Sequence, residues 1–158
     1  MSQVRFRPGR EDDVLALAEI LHDIWRDGYW RLVGLSVESR SLDWYCKQIQ
    51  PIAPGAVVAA DSADAPVGFC ATVGDLLDDL WVARGHQRRG IGQLLLAAGE
   101  ERIAAAGHAE GWLECIAANT PACRFYERAG WRAVRSYEFE GIPGLPMVEY
   151  RKPLAGAT

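Results

Sequence analysis

Gln87-Arg88-Arg89-Gly90-Ile91-Gly92 lies between an apolar run, Leu80-Trp81-Val82-Ala83, and a long segment of helical periodicity that begins near Ile91. A glycine-bearing loop between a strand and a helix is a cradle for an anion. Glycines let a ligand reach the backbone, and the first amides of a helix have no acceptor of their own. The helix dipole adds roughly 0.3 to 1 kcal/mol of attraction at an exposed end. Arg88 and Arg89 place positive charge beside it, so a pyrophosphate suits the loop.

The residues that follow exclude two nucleotide loops. A Walker loop needs Lys and then Ser or Thr after its last glycine, and here Gly92 precedes Gln93-Leu94. The dinucleotide fingerprint needs a third glycine where this chain has Leu95.

Working outward, Val4 to Arg7 alternates as a short strand, and Glu11-Asp12-Asp13 opens a helix carrying Val14, Leu17, Ala18, Leu21, Ile24 and Trp25 at helical spacing. After Asp27-Gly28-Tyr29-Trp30 a second helix is expected over about Ser36 to Ile49. Ala56 to Ala60 and Val67 to Val73 read as strands joined by a hairpin turn at Asp61 to Pro66, and a third strand spans about Leu77 to Val82. The helix after the loop runs from Ile91 to about Ala106, with Ile91, Leu94, Leu95, Ala98 and Ile103 on one side and Gly107 as its stop. Trp112 to Ala117 is a strand. Thr120-Pro121 then opens a helix that Gly130 ends, and Trp131 to Phe139 and Met147 to Arg151 form a last strand pair.

A chain of 158 residues with 49% hydrophobic content predicts one domain, over residues 1–154, with residues 155–158 as a tail. No apolar run approaches the ~20 residues of a membrane span, and the first residues lack the apolar stretch of a signal peptide, so a cytoplasmic protein without a membrane partner is expected. The net charge of -4 and a pI near 5.4 argue against nucleic acid as a partner. Cys46, Cys70, Cys115 and Cys123 form no C-x-x-C pair and the histidines are scattered, so no metal is expected and the thiols read as reduced core filler.

A second motif follows the first: Asn119, Ala122, then Phe125-Tyr126-Glu127 and Gly130-Trp131. By spacing, Ala122, Phe125 and Ala129 share one helix face, with Tyr126 at its edge. Tyr126 read alone is as well explained by packing, and Asn119 by a helix cap. The two motifs together, with Gln87, Gly90 and Gly92 in the first, resemble the GNAT superfamily of acetyl-CoA-dependent N-acetyltransferases, and the element order resembles that family over nearly the whole chain.

The resemblance implies an α/β (mixed α+β) fold, with a mixed central sheet flanked by helices. It implies acetyl-CoA as the acetyl donor, and a binding set of Leu80, Trp81, Val82, Gln87, Arg88, Arg89, Gly90, Ile91, Gly92, Asn119 and Tyr126. It implies Tyr126 as the acid that protonates the departing thiolate. Asp79, expected at the start of its strand, and Glu114 on the next are the candidate bases for an amine acceptor. Asp78 is a weaker candidate, and a covalent route through Cys115 ranks low because nothing near it in sequence activates the thiol. Arg84 stands where the family commonly has proline, which predicts a looser turn before the loop.

The family's acceptor entry would put Trp25, Tyr29, Trp30, Glu138, Glu140 and residues 141–146 around the amine, with rings and carboxylates suited to a cation. A monomer or a homodimer is compatible with this reading. A non-catalytic acyl-CoA-binding module, or an acyltransferase for a longer acyl group, is the alternative.

Overall fold

From residue 3 to residue 154, the span this computed structural model describes, the chain runs β1 (Arg5–Pro8), α1 (Val14–Ile24), α2 (Trp30–Val33), α3 (Leu42–Ile49), β2 (Val57–Ala60), β3 (Pro66–Val73), β4 (Leu76–Val82), α4 (Ile91–Ala105), β5 (Glu110–Ile116), α5 (Thr120–Arg128), β6 (Arg132–Glu138) and β7 (Pro146–Pro153). The expected tail at 155–158 lies outside the described residues. Seven strands form one mixed sheet in the order β1-β2-β3-β4-β5-β7-β6, flanked by helices as expected. Only β4 and β5 among them pair in parallel.

The continuous apolar runs of β2 and β3 follow from burial on both faces. Val58, Phe69 and Ala71 pack with α1 and α3, while Ala59, Val67 and Cys70 pack with α4. Leu17, Leu21 and Trp25 meet the first of these layers at helical spacing. Full burial of each such side chain is worth about 1.5 to 3 kcal/mol before entropy is set against it.

Four local expectations change. The helix expected over Ser36 to Ile49 is a 3-10 turn at Val37–Ser39 followed by α3, because Ser41 Oγ accepts from Trp44 N at 3.1 Å and starts the helix there. At Asp27 to Trp30 the helical path does not stop but kinks, with Gly28 leaving helical geometry at φ 153° inside a widened turn over Trp25–Tyr29. Leu94 is 58% exposed, since α4 buries the strict stripe Ile91, Leu95, Gly99 and Ile103. Asp79 sits in the middle of β4, which begins at Leu76. No helix among the described residues is long and apolar enough to cross a membrane.

Candidate active site

β4 and β5 pair only at Leu76 and Trp112. Beyond that pair β4 stays with β3 and β5 with β7, so the two strands splay and leave a groove. On β4, Ala71 of β3 faces Asp79 and Thr72 faces Leu77, which makes Asp78 the extra residue of a bulge. Ala83 N donates to Val67 O at 2.8 Å, so by the alternation of an antiparallel ladder Trp81 and Ala83 turn their backbone groups to β3. Leu80 and Val82 therefore turn theirs to the groove. The Gln87 side-chain amide takes one of them, donating to Val82 O at 3.0 Å.

The loop after β4 is tighter than expected. Arg84–His86 form a 3-10 turn closed by His86 N on Ala83 O at 2.8 Å, and the Arg84 side chain pairs with Asp27 at 2.9 Å. Arg88 and Gly90 adopt left-handed φ values of 64° and 83°. Leu94 N returns to Gly90 O at 3.2 Å, which leaves the amides of Ile91, Gly92 and Gln93 at the open end of a fifteen-residue helix. Ile91 can offer only its backbone, because its side chain is in the core.

Gly28, at φ 153°, bends the first helical segment where a side chain would be strained. Tyr29, next to that bend, meets the Trp81 ring edge-on at 5.4 Å between centroids. On the far side of the groove Asn119 caps α5, its Oδ1 accepting from Ala122 N at 3.4 Å. Tyr126 follows on the same helix, half-buried, and burial raises its phenol above the ordinary range.

Two cavities meet here. The larger, about 290 Å³, lies between β4 and the helices α1 and α3, and the smaller, about 130 Å³, lies between β4, β5 and α5. Tyr29, Asp78 and Trp81 border both. Asp79 lines the larger, and Leu80, Glu114, Asn119 and Tyr126 line the smaller. Tyr29, Asp78 and Trp81 thus form a wall common to the two cavities.

Burial, with Asp78 adding to it, pushes the Asp79 carboxyl up to about 6, against a hydrogen bond from Trp81 Nε1 at 3.0 Å. Burial also raises Asp78 and, with help from the Asp78 charge, Glu114. The Tyr137 hydroxyl donates to Glu114 Oε2, which engages that carboxylate. Burial and the neighbouring Cys123 push the Cys115 thiol up to about 12, so a thiolate nucleophile is disfavoured there.

The larger cavity includes Trp25 and Tyr29 of the expected acceptor lining but not Trp30, Glu138, Glu140 or residues 141–146. Arg31 stacks on Trp30 at 4.8 Å, and Glu138 faces Pro146 within the terminal strand pair. In their place α3 supplies Trp44, Tyr45 and Gln48, preceded by Arg40. The signal was available, since Trp44 and Gln48 are four apart and Tyr45 and Ile49 are their helical neighbours.

A family model described as Acetyltransferase (GNAT) family matches residues 16–131. A Desulfovibrio desulfuricans protein assigned to the GNAT family superposes with a TM-score of 0.73 at 25% identity, covering 97% of this chain and 100% of that one. The phosphinothricin acetyltransferase of Sinorhizobium meliloti, solved with acetyl-CoA, gives 0.74 at 17% identity, covering 96% of this chain and 88% of its own. YncA of Salmonella typhimurium, also solved with acetyl-CoA, gives 0.68 at 12% identity over 97% and 95% of the two chains. These last two likenesses concern the fold alone. No curated protein matches the chain in sequence. The splayed strands, the left-handed loop and the motif helix across the groove occur together in a chain that the family model spans for most of its length, and the protein belongs to the GNAT family of acetyltransferases.

Proposed function

We propose that the protein is an N-acetyltransferase that moves the acetyl group of acetyl-CoA directly to a primary amine. The observation that carries this reading is the wall shared by the two cavities, with Asp79 on one side and Tyr126 on the other. The residues fit the donor. The open amides at the start of α4, with Arg88 and Arg89 beside them, suit a pyrophosphate, and a Cβ at Gly90 would meet nothing within 4 Å. The edge of β4 offers the N–H groups of Leu80 and Val82 and the C=O of Leu80 to the amides of a pantetheine arm, the Val82 C=O being engaged by Gln87. Asn119 borders the same groove.

Each residue has a role in this reading. Asp79, held near 6, is ionised at neutral pH and close enough to it to act as a base, taking the proton that a protonated alkyl amine must lose. Asp78 and Glu114 border the groove and supply a route for that proton to solvent. The amine nitrogen then forms a bond to the acetyl carbon while the carbon–sulfur bond breaks. A backbone amide of Leu80 or Val82 stabilises the developing oxyanion. Tyr126, kept neutral by burial, gives its proton to the leaving sulfur. The smallness of the groove around Tyr126 supports a short acyl group.

Residues 1–154 act as one catalytic domain in this reading, and the cytoplasm is its place of action. The test is release of free CoA from acetyl-CoA across a broad panel of amines, with propionyl- and succinyl-CoA in parallel. Release with at least one amine and a preference for the acetyl donor are expected. Protein that neither binds acetyl-CoA nor releases CoA with any amine overturns the reading.

A further inference from the structure

We propose that the larger cavity takes an amine that also carries a carboxylate, with the amine toward Asp78 and Asp79 and the carboxylate on Arg40. The amine end rests on the acetyl-transfer reading; the carboxylate end rests on Arg40 alone.

Arg40 lies between the 3-10 turn and the Ser41 cap of α3, and its guanidinium is held over two rings, Trp25 at 4.4 Å and Trp44 at 4.7 Å. The two rings hold the guanidinium in place, and of its five N–H donors the Tyr45 hydroxyl engages at most one or two. No carboxylate pairs with it among the described residues, in contrast to Arg7, Arg84, Arg135 and Arg151. A cation held over two indoles, lining a cavity and without a carboxylate partner among the described residues, is prepared for a planar anion. Its orientation is set before binding, so little further order is lost when a ligand arrives.

The cavity carries charges of both signs. Burial raises the phenols of Tyr29 and Tyr45 and Arg40 opposes it, at Tyr45 through a hydrogen bond, whereas the acidity of Asp79 is governed by burial, Asp78 and Trp81. Arg40 thus lines the cavity without pairing to either carboxylate, and Leu21, Ile24 and Ile52 give the same cavity apolar lining. A simple ammonium would find its carboxylates and also face an unneutralised guanidinium. An amino carboxylate with an apolar body satisfies both. The volume of about 290 Å³ suits a one-ring or short-chain molecule, and the cation disfavours polyamines and aminoglycosides.

The test is calorimetry on two matched pairs, 4-(aminomethyl)benzoate against 4-methylbenzylamine and phenylalanine against phenethylamine. The first pair carries its carboxylate far from the amine and the second close to it. Each pair is titrated into wild type, Arg40→Gln and Arg40→Lys, with folding checked by circular dichroism. In at least one pair the carboxylate member is expected to bind about ten- to hundredfold more tightly to the wild type. That ratio should collapse in Arg40→Gln and be kept in part by Arg40→Lys. Equal binding within both pairs, or a ratio that survives Arg40→Gln, overturns the proposal. Should Arg40→Gln fail to fold, the wild-type ratios and Arg40→Lys decide. CoA release, measured alongside, separates the two readings. Release without carboxylate preference sinks this inference alone, and carboxylate-selective binding without release for any amine sinks the acetyl-transfer reading alone.

Discussion

Trp81 Nε1 donates to Asp79 Oδ1 at 3.0 Å, across two positions of one strand. Residues two apart on a strand share a face, so the indole and the carboxylate both look toward α1 and α3. The bond engages one carboxylate oxygen of a residue that lines the cavity.

With Asp79 as the base, kcat/KM should rise with pH through about 6 and level off above it. Asp79→Asn should lower kcat/KM by about 10² to 10⁴-fold. A pH–rate profile of the two proteins checks this, and an unshifted wild-type limb in the Asn variant removes Asp79 from the role.

The same raised acidity constant has a cost in stability. An Asp ionises near 4 in the unfolded chain and near 6 here, so its unfavourable burial is absent below about pH 4 and complete above about pH 6. Asp79→Asn should therefore be more stable than wild type at pH 7.5, by on the order of 2 kcal/mol, and no more stable at pH 3.5. Urea unfolding at the two values decides it.

Tyr126→Phe should reduce kcat by about 10² to 10⁴-fold if the phenol is the only acid for the leaving sulfur. Acetyl-CoA affinity measured by calorimetry should change much less. Undiminished turnover with the best amine would reassign Tyr126 to packing.

Gly28→Ala meets only Arg31 Nη1, at 3.8 Å, so its penalty is backbone strain at φ 153°. About 1 to 3 kcal/mol should be lost, and KM for the amine should rise as the bend carries Tyr29 away from Trp81. Thermal unfolding and steady-state kinetics report the two effects separately.

Away from the groove, buried Asp13 accepts from Arg7 Nη1 at 2.8 Å, Arg7 Nη2 at 2.9 Å and Arg10 N at 2.8 Å. The bond from Arg7 holds its carboxyl below the usual range. Asp13→Asn should destabilise by about 1 to 3 kcal/mol at pH 7, because Arg7 loses its two-bond pair with Asp13 and keeps only the Asp64 carboxylate, which its Nε reaches at 2.8 Å. The native carboxylate stabilises fully above about pH 4 and loses that contribution as pH falls through its lower folded value, so the gap between the two proteins should narrow in acid. Urea melts from pH 7 to 2.5 would show this.

The fold was legible in the sequence because its helices and strands carry unambiguous periods. The continuous apolar run through Phe69 and Cys70 marks a strand covered on both faces, and the Asn119 to Trp131 motif places α5. What escaped was set by tertiary geometry. The bulge that makes Asp78 the extra residue depends on the register of β3 against β4, which no local pattern reveals. Gly28 breaks the helical path at φ 153°, yet the chain resumes helically at once and Trp25 and Tyr29 on either side both pack in the same core layer. Arg40 lies in a stretch expected to be one helix, and only the Ser41 cap puts it at the cavity. Leu94 entered the expected stripe because side chains three and four apart are hard to rank by period alone.

Asp75 holds the narrow end of the groove: its carbonyl accepts from Trp112 N at 3.0 Å and its Oδ1 from Trp112 Nε1 at 3.0 Å. It does so from the two-residue turn that joins β3 to β4, directly after Gly74 at φ 60°. Leu77 to Val82 then extend from this vertex like the arm of a lever roughly 20 Å long. A rotation of about 5° at the turn would change the aperture at the loop by roughly 2 Å, enough to make or lose a hydrogen bond to the donor. Under the acetyl-transfer proposal, the fit of a donor at Val82 would thus be set partly by a turn at the opposite end of the strand.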